Sequence, residues 1–245
     1  MFEAKIRADI LKEMVNVVTT LVDEIKLNIS GDGIQMKAVD PAHVAMVDMT
    51  LKASAFKELK ADKCEIGVDI DKLKEVLKLA KPDLMITIQH DEDKNNLILT
   101  MDNITRRMSL VDTTGMSDPK VPNLNLPAKV TLNVDELSQG IRASESISDH
   151  ITLIASPDYF ELMSEGETDS VNLKVPKKSL KSLEVTEASK SLFSLDYFSN
   201  IVKAIGAGRD VNINLGTNYP VKIEFAIAEG EGHVVFLLAP RIENE

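Results

Sequence analysis

Asp9-Ile-Leu-Lys-Glu-Met-Val-Asn-Val-Val-Thr-Thr-Leu-Val22 leads into Ile25-Lys-Leu-Asn-Ile29 and then Ser30-Gly-Asp-Gly-Ile34-Gln-Met36. In the first stretch Ile10, Leu11, Met14, Val17, Val18, Leu21 and Val22 fall at helical spacing, and in the second apolar and polar residues alternate as in a half-buried strand. The pattern returns later. Asp135 opens a run with Leu137, Ile141 and Ile147, followed by Ile151-Thr-Leu-Ile-Ala155 and the turn Ser156-Pro-Asp-Tyr-Phe160-Glu-Leu162. Asp9 to Asp135, Ile25 to Ile151 and Asp32 to Asp158 are all steps of 126 residues. A second pair follows: Asp71-Lys-Leu-Lys-Glu-Val-Leu-Lys78 with the strand Leu84–Ile88, and Asp196-Tyr-Phe-Ser-Asn-Ile-Val-Lys203 with the strand Asp210–Leu215, a step of 125 from Asp71 to Asp196. Few residues are identical between the halves, so the order of elements carries the duplication. Each half reads as strand, helix, several strands, helix, several strands, with Asp9, Asp71, Asp135 and Asp196 expected as helix N-caps. The fold class is α+β, two duplicated domains with two helices each.

Between the halves lies Asp112-Thr-Thr-Gly-Met-Ser-Asp-Pro-Lys-Val-Pro-Asn-Leu-Asn-Leu-Pro127. Its three prolines exclude a central strand or helix, and a connection of this length is functional, mobile or a plain tether. Met116, Val121, Leu124 and Leu126 within it are expected to lie against a surface. The domains are therefore read as 1–111 and 128–245, with 112–127 as connector.

Hydrophobic residues at 44% allow a sizeable core, and no apolar run approaches the roughly 20 residues of a membrane span. The first residues, Met-Phe-Glu-Ala-Lys-Ile-Arg, show no secretory signal. Cys64 is the single cysteine, so no intrachain disulfide forms, and it is expected to be a buried structural thiol in a reducing compartment. The net charge of −11 argues against a nucleic-acid partner unless cations are segregated, and aromatics at 4% without Trp argue against base stacking. The cations are segregated on the helices. Lys74, Lys78 and Lys81 share one stripe opposite Leu73, Val76, Leu77 and Ala80. Lys12, Asn16 and Thr19 line the first helix, Gln139, Arg142 and Ser146 the third, and Asn200, Lys203 and Ala207 the fourth, with Arg209 just after. One lysine on a solvated face is ordinary; four equivalent helices with that bias favour a shared basic surface.

Asp32-Gly-Ile-Gln-Met-Lys-Ala-Val-Asp-Pro-Ala-His-Val-Ala-Met-Val-Asp-Met-Thr-Leu51 resembles the corresponding stretch of the proliferating cell nuclear antigen family of DNA sliding clamps, archaeal type. The opening Met-Phe-Glu-Ala and the closing Leu238-Ala-Pro-Arg-Ile-Glu-Asn-Glu245 are similar to that family's termini. The resemblance implies the DNA clamp fold, antiparallel sheets outside and helices inside, in a head-to-tail homotrimer with pseudo-sixfold symmetry. It implies that Lys12, Lys78, Arg142 and Lys203 face encircled double-stranded DNA; Lys74, Lys81 and Arg209 are added from helical geometry. It implies subunit contacts between the strand around Ile104–Val111 (Ile104, Met108, Leu110) and that around Ser170–Lys177 (Val171, Leu173, Val175). It also implies a pocket for a short peptide motif, the PIP box, lined by Val39, Asp40, His43, Val44, Met46, Val121, Pro122, Pro220, Leu237, Ala239, Pro240 and Ile242. His43 is expected to be a hydrogen-bonded structural histidine. The partners so implied are DNA polymerase, the clamp loader (replication factor C), flap endonuclease and DNA ligase, with no membrane and no cofactor. The compartment is an archaeal cytoplasm, or a nucleus in a eukaryote.

No catalytic or metal chemistry is legible. His43, His90, His150 and His233 lie far apart without metal-ligand spacing. Gly206-Ala-Gly208 lacks the rest of a dinucleotide loop, and Asp91-Glu-Asp-Lys-Asn95 reads as a hairpin turn because Asn96 stands where a calcium loop needs glycine. Two alternatives stay open: one subunit of a specialised heterotrimeric clamp, and an acidic α+β enzyme with an unrecognised site.

Overall fold

The computed structural model describes residues 1–116 and 118–242, so the last three residues of the terminal match lie outside the described residues. The chain divides into two compact units, Met1–Lys120 with Ala226–Val234, and Val121–Phe225 with the residues from Val235 on. In chain order the first half supplies β1 (Phe2–Arg7), α1 (Ala8–Val18), β2 (Glu24–Ser30), β3 (Gly33–Val39), β4 (Ala45–Lys52), β5 (Glu58–Ala61), β6 (Cys64–Asp69), α2 (Ile70–Leu77), β7 (Met85–Asp91), β8 (Asn96–Met101) and β9 (Ile104–Ser109). The second supplies β10 (Ala128–Asn133), α3 (Val134–Ser144), β11 (His150–Ser156), β12 (Tyr159–Glu165), β13 (Ser170–Pro176), β14 (Ser182–Val185), β15 (Ser189–Ser194), α4 (Leu195–Ile205), β16 (Asp210–Leu215), β17 (Val221–Ile227) and β18 (Gly232–Leu238). The fold is α+β, as the repeat required.

Within the first unit the antiparallel orders are β5-β1-β7-β8-β9 and β4-β3-β2-β6; within the second they are β14-β10-β16-β17 and β13-β12-β11-β15. The duplication extends to register. Leu27 opposes Met36 as Leu153 opposes Leu162, and Ile29 opposes Cys64 as Ala155 opposes Ser189. Each helix buries its apolar stripe, Met14, Val17 and Val18 on α1 and Phe198, Ile201 and Val202 on α4 among them. On α3 a glycine sits where the strands come close: a Cβ on Gly140 would lie 2.9 Å from a Leu173 methyl and 3.1 Å from one of Leu162. Glycine costs an interior helical site about 1 kcal/mol relative to alanine, which this close approach offsets.

The expected N-caps are displaced. Asp9, Asp71, Asp135 and Asp196 lie inside the first turn, and the N-cap positions are Arg7, Asp69, Asn133 and Ser194. The reason is that each strand runs straight into its helix, so the apolar residue before each of these aspartates is already helical. Asp69 and Asn133 accept the capping hydrogen bonds, from the backbone N–H groups of Lys72 and Asp135. The four aspartates instead place negative charge at the positive end of the helix dipole, and that of Asp135 accepts from the Gly208 N–H at 3.1 Å.

Residues 112–127 form neither helix nor strand where described, and Met116, Val121, Leu124 and Leu126 are all half-buried. Their departure from β9 is fixed. The Val111 N–H donates to the Gly67 carbonyl at 2.9 Å, and a Cβ on Gly67 would fall 2.4 Å from the Val111 carbonyl oxygen. Gly67→Ala is therefore expected to break this bridge and cost about 1–3 kcal/mol. A denaturation midpoint and a Val111 amide exchange rate both matching wild type would contradict it. Farther on, Asp118 accepts from Lys26 Nζ at 2.6 Å and Asn28 Nδ2 at 3.0 Å. The hydrogen bond raises the pKa of the Lys26 ammonium, and the same bond lowers that of Asp118.

Candidate functional sites

The helix cations differ in what they already hold. Lys12 is half-buried and its Nζ donates to the Ala80 carbonyl at 2.5 Å, closing the carbonyl end of α2. Lys74 and Arg142 are exposed, and among the described residues neither has an ion-pair partner. Lys78, the C-cap residue of α2, pairs with Glu75. Lys203 pairs with Glu145 at 3.4 Å, and the same carboxylate oxygen accepts from Ser199 Oγ at 3.3 Å. Arg209 is half-buried beyond α4, its carbonyl accepting from the Val134 N–H.

Lys81 departs from expectation. The α-helix ends at Leu77, and tighter bonds from the Leu79 and Ala80 N–H groups to the Val76 and Leu77 carbonyls finish it, so Lys81 is exposed but off the helical stripe. Ala207 likewise lies past the end of α4.

β9 and β13 are each the outermost strand of their sheet, paired on one side by β8 and β12 respectively. Their apolar residues are not equally available. Ile104 is 47% exposed, Leu110, Val171 and Leu173 are half-buried, while Met108 and Val175 are already inside the unit's own core. The expectation that all six lie open for a partner is corrected accordingly. Arg106 and Arg107 are exposed along the same edge.

Of the positions assigned to a peptide pocket, those of the first unit form one local structure. Val39 opposes Met46 across β3 and β4, and the turn between them is built by Asp40. The buried Asp40 carboxylate accepts from the backbone N–H groups of Ala42 (3.0 Å), Val44 (2.8 Å) and Ala45 (2.6 Å). Val44 is left half-exposed on this turn. His43 is corrected: its ring is exposed and, among the described residues, makes no hydrogen bond. Its backbone instead sits at φ 56 and donates to the Asp40 carbonyl. In the second unit Val121 is half-buried and Pro122 exposed, Pro220 precedes β17, Leu237 is buried near the end of β18, and Ala239, Pro240 and the exposed Ile242 follow it. Cys64 is half-buried, and burial raises its thiol pKa. No group of three or more His, Cys, Asp or Glu that could hold a metal occurs among the described residues.

Two consecutive family models cover the chain: the N-terminal domain of proliferating cell nuclear antigen matches residues 1–117, and its C-terminal domain matches residues 120–241. The chain belongs to the proliferating cell nuclear antigen family. The DNA polymerase sliding clamps of Methanocella arvoryzae and Methanosarcina barkeri are each 42% identical to it over 246 residues, covering all of both chains. The A. fulgidus proliferating cell nuclear antigen, solved with the C-terminal region of FEN-1 bound, superposes with a TM-score of 0.94 at 30% identity over the whole of both chains. The Thermococcus kodakaraensis protein shares the fold, with a TM-score of 0.92 at 24% identity over 98% of this chain and all of that one. Membership in the proliferating cell nuclear antigen family carries the function of a DNA polymerase sliding clamp, a non-enzymatic processivity factor.

Sequence reading missed the two carboxylates, Glu75 and Glu145, that counter the helix cations. Their signal was present: Glu75 stands three residues before Lys78, within reach on one helix face. Glu145 pairs across two helices, which no local spacing reveals.

Proposed function

We propose that three copies of this chain close head to tail around duplex DNA, β9 of one meeting β13 of the next, and that the cations of α1–α4 face the phosphates. The observation that carries this reading is that every helix of both duplicated units presents a cation opposite its buried stripe, in a chain of net charge −11. Contacts of that kind are sequence-independent and salt-sensitive. Retention is topological, because a closed ring leaves DNA only over an end or by opening. Loader-deposited clamp is expected to stay on nicked circular DNA and to be lost once the circle is linearised; equal loss from both defeats the reading.

The same proposal has the Asp40 turn and the segments around residues 121–122, 220 and 237–242 serve the capture of PIP-box peptides of polymerase, clamp loader, flap endonuclease and ligase. The FEN-1 segment bound to the A. fulgidus relative supports it. The archaeal relatives favour an archaeal cytoplasm as the compartment.

The paired glutamates set a quantitative expectation. Exposed pairs hold only about 0.2–1 kcal/mol each, so phosphates can replace Glu75 and Glu145. Glu75→Gln with Glu145→Gln should tighten binding to linear duplex by about threefold to tenfold and steepen its salt dependence. Unchanged affinity at low salt would show that Lys78 and Lys203 do not meet DNA.

A further inference from the structure

Both halves of the chain leave their last strand by crossing the edge strand of a four-stranded set at the same repeat position. Val111 bridges Gly67 of β6, and Arg241 bridges Leu192 of β15, its N–H donating at 2.7 Å. Gly67 and Leu192 are a step of 125 apart, the step that relates β6 to β15 throughout. In the first unit the chain continues over the outward face of β2 until Asp118 is held by Lys26 and Asn28. The matching face of the second unit carries a groove of about 770 Å³.

Its floor is Thr152, Met163 and Leu192, and its rim carries His150, Lys190 and Arg241, with Glu165 also lining it. Thr152 stands at the repeat position of Lys26, and Lys190 at that of Glu65, since Asn28 opposes Glu65 as Ile154 opposes Lys190. The cation that holds Asp118 in the first unit has thus moved, in the second, from the inner strand to the edge strand. Lys190 and Arg241 are both exposed, and among the described residues neither side chain has an ion-pair partner.

We propose that this groove is a second peptide site, separate from the PIP-box pocket. It takes an extended acidic segment of a partner protein, laid across β11 and β15 as residues 111–118 are laid across β2 and β6, with a carboxylate on Lys190 and Arg241. One extended chain fills the sister slot, and the Glu165 carboxylate in this one favours a peptide over a phosphate backbone. Lys190 lies outside the positions assigned to the PIP-box pocket, so the two sites separate cleanly by substitution.

The test is selection of a random twelve-residue phage-displayed library on the full-length chain, followed by calorimetry with the enriched peptides as synthetic probes. Acidic peptides should emerge. Lys190→Glu should weaken them at least tenfold, and Thr152→Arg, which fills the floor, should do the same, while Val44→Asp leaves them unchanged. Because Lys190 is exposed, its substitution should not move the melting temperature. Failure to enrich any peptide, or equal affinity for Lys190→Glu and wild type, overturns the proposal. So does competition by a duplex oligonucleotide, which would mark an anion site for nucleic acid. Binding that emerges only in a variant ending at Ile242 would make the chain's own last three residues the occupant, and likewise overturns it.

Discussion

Ile104→Glu should convert the assembled ring to single chains, lowering the mass seen by light scattering from roughly three times the 27.0 kDa chain to one. Ile104 opens β9, the outermost strand of its sheet, and is 47% exposed, so in an isolated chain nothing covers much of it. A partner strand laid along β9 would cover that surface, and glutamate in its place would bring an unpaired charge into the seam. Losing the apolar contact and burying the carboxylate together cost about 2–5 kcal/mol per interface, enough to dissociate a micromolar trimer with three such seams. The far-UV circular dichroism should stay that of wild type, because the substitution leaves the buried core untouched. Leu173 on β13 is a poorer probe, since its methyl abuts Gly140 of α3 and any change there strikes the fold as well. A trimer mass retained by Ile104→Glu would remove β9 from the assembly.

Val44→Asp is expected to weaken the C-terminal peptide of a flap endonuclease by about 2–4 kcal/mol, on the order of 30-fold to 1,000-fold, the range of a hot-spot residue. The turn bearing Val44 is held by Asp40 through three backbone N–H groups, so it should keep its shape when the Val44 side chain changes. Leu237→Asp would be ambiguous, because Leu237 is buried and a charge there would damage the second unit itself. Unaltered calorimetric affinity for Val44→Asp, with the trimer intact, would exclude the Asp40 turn from the peptide site.

Much of this was readable before any coordinates. The step of 126 residues identified the duplication, and the register pairs Leu27–Met36 and Leu153–Leu162 reproduce that step in space. Periodicity located the helices but not their ends. At the N-terminal side it took the first polar residue for the cap, whereas β6 and β10 enter their helices without a loop and Asp69 and Asn133 do the capping. At the C-terminal side of α2 the apolar pattern ran on through Ala80, because the chain turns twice more with three-residue hydrogen bonds that preserve a similar spacing. Long-range pairings were not legible at all. Lys26 with Asp118, 92 residues apart, and Lys203 with Glu145, 58 apart, depend on how strands and helices pack, which no local pattern encodes.

The carboxylates beside Lys78 and Lys203 have a consequence for movement. In the proposed ring, a phosphate approaching either lysine displaces a glutamate tethered to the same surface, and when the phosphate moves on the glutamate returns. The ammonium groups are never left bare between encounters, so the energy along the bore has shallow wells in place of deep ones. Such a lining gives the duplex little to stick to, and translocation should proceed with low drag.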